Sequence, residues 1–88
     1  MKLFATAAIA AVTLVALPSA AMAASCYDLW YARNEIYYEN GYCFVTDLAI
    51  DTFGNDDCYT KHPRFTKKEQ RKIDKIVAEE RSRHCKVN

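Results

Sequence analysis

The sequence lacks any pairing of a nucleophile with a base. Beyond residue 23 its serines are Ser25, placed to cap a helix, and Ser82, on a polar helix face. Its two histidines, His62 and His84, stand in a loop and at a helix end. Nucleophilic catalysis needs a Ser or Cys beside a base, so the chain is expected not to be an enzyme. A zinc knuckle is missing too: the four cysteines are separated by 16, 14 and 26 residues, and no C-x₂₋₄-C spacing occurs. Asp56-Asp57 lacks the alternating oxygen ligands that calcium requires, and no metal or cofactor is expected. With two glycines, two prolines and no repeat, there is no flexible linker and one domain is implied.

A membrane-length run is absent as well. The longest apolar stretch, Leu3 to Leu17, is shorter than the roughly 20 residues a spanning helix needs. It follows Lys2 and precedes Pro18-Ser19 and Ala21-Met22-Ala23, the pattern of a signal peptide over residues 1–23 with cleavage after Ala23. The mature domain, residues 24–88, is then periplasmic or secreted and has no span of its own.

Basic residues are scarce in one half only. Ala24–Thr60 holds Arg33 alone against Asp28, Glu35, Glu39, Asp47, Asp51, Asp56 and Asp57, whereas Lys61–Asn88 holds ten basic residues against four acidic ones. A basic helix for nucleic acid is one reading. Export and the acidic first half argue against it, and the favoured expectation is that the two halves pack together.

What is present is two long helical patterns and a short one between them. Ser25-Cys26-Tyr27-Asp28 has the form of a capping box, and Gly41 offers a C′ residue tolerant of positive φ. Counting about 100° per residue from Leu29, Ile36, Asn40 and Arg33 fall within about 40° of it, so an arginine sits near the centre of the apolar arc. Thr46, Leu48-Ala49-Ile50 and Phe53, ended by Gly54-Asn55, predict a short helix. Thr66-Lys67-Lys68-Glu69 is a second capping box, and its pattern runs to about His84 with Glu80 inside a narrow stripe around Ile73.

A 65-residue domain supplies only about 3–5 kcal/mol from one core, so covalent staples are expected. Four cysteines in an exported chain fit two disulfides. Arg33 lies seven residues after Cys26 and Glu80 five before Cys85, roughly 10 Å and 7–8 Å of helix. A Cys26–Cys85 bond would therefore bring Arg33 and Glu80 to similar heights as a buried ion pair, leaving Cys43–Cys58 to close a short loop. The alternatives are Cys26–Cys43, opposed by the roughly 20 Å of helix between them, and Cys26–Cys58 with Cys43–Cys85.

The candidate binding residues are Tyr27, Tyr31, Asn34 and Tyr38. The three tyrosines fall at about 160°, 200° and 180°, opposite the arc, and tyrosine's large ring with a polar tip suits a binding face. A second layer from Phe44, Val45, Phe53 or the loop would cover them instead. Left open and bordered by acids, they would suit a carbohydrate, a cell-wall glycan fragment or a basic protein segment.

Ala32-Arg33-Asn34-Glu35-Ile36-Tyr37 followed by Gly41-Tyr42-Cys43-Phe44 resembles the YARHG domain family of exported bacterial proteins. The naming motif falls on Tyr37 to Gly41 and here is Tyr-Tyr-Glu-Asn-Gly, which keeps its first and last letters and changes the middle three. Phe53 stands at the family's aromatic after the short helix, and Cys58-Tyr59 where a Trp-Tyr pair is usual. The resemblance implies a small extracytoplasmic domain, alone or attached to lipoproteins and peptidases, with no catalytic residue to carry over.

The fold expected is all-α: two antiparallel main helices with a short helix and loop between, stapled by two disulfides. The function expected is a non-catalytic binding or structural module of the bacterial envelope, with an envelope protein or cell-wall glycan as partner. The alternative is a small regulator or inhibitor of an exported enzyme such as a peptidase.

Overall fold

The structure, a computed structural model, describes residues 24–86; the expected signal peptide, residues 1–23, lies outside the described residues. Three helices follow in order: α1 (Cys26–Glu39), α2 (Asp47–Phe53) and α3 (Lys67–Ser82). Each begins where a short polar side chain satisfies an orphan amide. Ser25 and Asp28 exchange hydrogen bonds as a capping box, Thr66 and Glu69 do the same, and the Thr46 hydroxyl accepts from the Ala49 amide.

The ends are equally specific. At Gly41, φ is +80°; its amide donates to the Tyr38 carbonyl and the Tyr42 amide to the Tyr37 carbonyl. This pair of bonds is the Schellman arrangement, which needs a left-handed residue at that position. The sequence pattern carries the second long helix to about His84, but α3 stops at Ser82. His84 instead takes φ 55° and the Cys85 amide returns to the Glu80 carbonyl at 2.9 Å, so the chain turns there and aims Cys85 back at the start of α1.

α1 and α3 run antiparallel and are tied at three heights. Cys26 is bonded to Cys85 at one end. In the middle, Arg33 meets Glu80. At the far end the Asn40 amide donates to Glu69 at 3.2 Å. Ile36 and Ile73 are the buried apolar residues of these two helices on the facing sides.

A second layer lies on another side of α1. Trp30, fully buried, packs with Phe44 and Ala49 and with the partly buried Tyr37, Tyr42 and Phe53. α1 is thus covered on two sides, and its buried residues do not form the single stripe that the helical arc describes. The loop that carries this layer is held by the Cys43–Cys58 bond and by a clasp in which the Asn55 side chain accepts from the Phe44 amide (2.8 Å) and donates to the Phe44 carbonyl (3.0 Å). One isolated bridge, Tyr42 with Thr60, completes it.

Among the described residues the two oppositely charged halves meet through one ion pair, and its signs are inverted: the acidic half supplies Arg33 and the basic half supplies Glu80. The seven carboxylates of the first half are all exposed, as are Lys67, Lys68, Arg71, Lys72 and Lys75 on α3. Mutual neutralisation of the halves is therefore not what joins them.

Candidate functional site

The outward side of α1 carries Tyr27, Tyr31 and Tyr38, which the helical period places within one narrow sector. They stay 46, 39 and 46 % exposed. Phe53, brought in by the last turn of α2, sits among them without covering them. Its ring centroid lies 4.9 Å from Tyr31 and 5.7 Å from Tyr38. Tyr27 continues the row, 6.3 Å from Tyr31 and 5.3 Å from the buried Trp30. The rings are tilted against one another by 46, 39 and 30°, so they present alternating edges and faces rather than one flat platform.

Along one edge of this row stand Glu35 and Glu39, one helical turn apart. With Tyr31, Tyr38, Thr52 and Phe53 they enclose a groove of about 220 Å³. Neither glutamate forms an ion pair among the described residues. Arg33, the one basic residue of α1, is committed to Glu80 on another side of the helix, so this groove is acidic.

The row extends past Tyr38 to Tyr59. Tyr38, Asp57 and Tyr59 line an adjoining hollow of about 190 Å³ floored by Gly41. Tyr59 is 77 % exposed, its amide donates to the Gly41 carbonyl at 2.8 Å, and its ring lies so close over Gly41 that a β-carbon there would collide with it. Sequence reasoning missed Tyr59 as part of this surface. The available signal was the pairing of Cys43 with Cys58, which brings residue 59 beside the end of α1.

Asn34 does not belong to the strip. It is buried, 8 % exposed, and its amide donates to the Trp30 carbonyl at 2.9 Å. The reason is the second layer: Phe44 and Ala49 close over this side of α1, leaving Asn34 on the wall of a separate cleft with Arg33, Tyr37 and Tyr42. Arg33 faces Glu80 in a two-point fork, Nε to Oε1 at 2.8 Å and Nη2 to Oε2 at 3.0 Å. Cys26–Cys85 and Cys43–Cys58 are the two disulfides.

The two serines are engaged at helix ends. The Ser25 hydroxyl caps α1 and the Ser82 hydroxyl donates to the Glu79 carbonyl. His62 is exposed in the loop, and His84 is exposed at the left-handed turn. The Glu69 carboxyl is held below its usual range, by the Thr66 backbone amide first and the Asn40 side chain second. That hydrogen bonding belongs to the start of α3.

The YARHG domain family model matches residues 5–81 of the chain. No curated protein and no solved structure matches. The YARHG domain is a small extracellular-type domain, and two disulfides accord with an oxidising compartment. No helix among the described residues is long and apolar enough to cross a membrane.

Proposed function

The chain belongs to the YARHG domain family, and from that premise we propose that it is a non-catalytic binding module of the periplasm or the secreted space. Its binding face is the aromatic strip, and its ligand is a basic segment of an envelope protein. The observation that carries this reading is the groove itself: the tilted rings of Tyr31, Phe53 and Tyr38 walled by two carboxylates that form no ion pair among the described residues.

The chemistry favours a cationic, extended partner. A Lys or Arg head is attracted to both a carboxylate and the face of a tyrosine ring, and its alkyl stem packs on the rest of the ring. From Tyr27 to Tyr38 the strip runs eleven residues along the helix, roughly 16 Å, the reach of about five extended residues. A sugar would stack best on a flat ring, and the tilts between these rings offer no such platform. Where the basic segment belongs to an exported enzyme, the same contact makes the module its regulator.

Calorimetric titration with a short Lys/Arg-rich peptide and with its Asp/Glu counterpart tests the reading. The basic peptide should bind the native protein and the acidic one should not. Tyr31→Ala, and Glu35→Gln combined with Glu39→Gln, should each weaken binding by about tenfold or more. Equal binding of both peptides, or no loss in either variant, rules the reading out.

A further inference from the structure

A second concavity lies on the other side of α1, between that helix and the segment Phe44–Ala49. It has a volume of about 240 Å³ and is lined by Arg33, Asn34, Tyr37, Tyr42, Phe44 and Val45, with Thr46 and Ala49 behind them. Its most telling member is Asn34. More than nine-tenths of this side chain is buried, and its amide nitrogen is spent on the Trp30 carbonyl one turn back. The amide oxygen has no hydrogen-bond partner among the described residues. A buried acceptor without a donor destabilises the fold, and an apolar side chain of the same size would remove that cost. Asparagine is also a poorer helix former than leucine.

The rest of the lining complements it. Arg33, which lines the cleft, uses Nε and Nη2 on Glu80, and its Nη1 has no hydrogen-bond partner among the described residues. Glu80 cancels the guanidinium charge, so the cleft offers a directed donor without asking for an anion. Tyr37 and Tyr42 meet edge to face at 5.3 Å, and their hydroxyls have no partner among the described residues. Phe44, Val45 and Ala49 supply apolar wall. The volume is below the roughly 300–1,000 Å³ of pockets that enclose drug-sized ligands, so a single ring is what fits.

We propose that this cleft binds one neutral saccharide ring. A sugar hydroxyl donates to Asn34 Oδ1, a neighbouring hydroxyl accepts from Arg33 Nη1, and the ring's C–H face packs against Val45 and Phe44. Adjacent hydroxyls are the group that gives and accepts hydrogen bonds side by side with no charge, which is what this wall presents. The proposal concerns a different surface from the acidic strip and stands independently of it.

The test is an amide-resolved NMR titration of the uniformly nitrogen-labelled, oxidised protein with glucose, with N-acetylglucosamine and with N-acetylalaninamide. Saturable shifts are expected for at least one sugar at the Asn34 side-chain amide and at the backbone amides of Val45 and Thr46. Asn34→Leu and Val45→Trp should each weaken that binding by about tenfold or more, and Glu35→Gln should leave it unchanged. Val45 is exposed at the rim, so its variant keeps the test decisive if Asn34→Leu does not fold. No saturable shift with either sugar overturns the proposal. So do tighter binding of N-acetylalaninamide, and sugar shifts that survive Val45→Trp.

Discussion

Arg33 and Glu80, 47 residues apart in sequence, close a two-point fork between α1 and α3, with both guanidinium-to-carboxylate distances at or below 3.0 Å. The side chains are 21 and 11 % exposed, so neither charge has full access to water. Removing one partner strands the other, whereas replacing both with apolar groups does not.

Glu80→Ala is therefore expected to destabilise by about 3 kcal/mol, measured by urea denaturation of the oxidised protein. Arg33→Met with Glu80→Leu should lose much less than either single change. A loss below about 0.5 kcal/mol in Glu80→Ala would show that the fork contributes nothing net.

Gly41→Ala should cost about 1–2 kcal/mol, the usual penalty of a left-handed conformation for a residue with a β-carbon. Two effects overlap at this position, because the Tyr59 ring also occupies the space the methyl group needs. Tyr59 is mostly exposed and free to swing aside. The backbone penalty should accordingly dominate, and Tyr59→Ala should rescue Gly41→Ala only slightly. Full rescue in the double mutant would assign the effect to the ring instead.

His84 is the converse case, a residue with a β-carbon held at φ 55°. His84→Gly should raise stability by about 1 kcal/mol, seen as a higher melting temperature. An unchanged or lowered value would mean that the imidazole makes a contribution at the end of α3 that outweighs the backbone penalty.

Acid should weaken the start of α3 through Glu69. Its folded pKa is lowered by the Thr66 amide and the Asn40 side chain, so between the folded and unfolded values the unfolded chain binds more protons. Its contribution is present above the ordinary carboxylate value of 4.5 and is lost as pH falls through the folded value beneath it. Melting temperatures of Glu69→Gln and the native protein should converge between about pH 6 and about pH 3; a constant gap would contradict this.

Much of the frame was legible in the sequence because it is local. Ser25 with Asp28, Thr66 with Glu69 and Gly41 are cap signals that act within one turn, and the helical period set Arg33 and Glu80 on the inner faces. What escaped was set by distant parts of the chain. The helical period sets Asn34 beside the tyrosines only if α1 has one buried side; the Trp30 layer buries a second. Tyr59 joined the strip only through the Cys43–Cys58 bond and the Asn55 clasp on Phe44, neither of which follows from periodicity. The sequence pattern overruns the end of α3 because no glycine marks it: His84 takes the glycine's role. The two oppositely charged halves do pack together, α1 against α3, but all seven carboxylates of the first half face water, so opposed charge is not what joins them.

Both proposed surfaces depend on the two covalent ties. By loop entropy the bridge spanning 59 residues contributes about 4 kcal/mol and the one spanning 15 about 3 kcal/mol. These are comparable to the whole core of a domain this size. Cys26–Cys85 aligns Arg33 with Glu80, and Cys43–Cys58 sets Phe44 and Tyr59 against α1. Peptide mass mapping of the non-reduced protein tests that arrangement most directly: it should recover Cys26 joined to Cys85 and Cys43 joined to Cys58, with no free thiol. Cys26 joined to Cys43 or Cys58, or four reduced thiols in the folded protein, would contradict it.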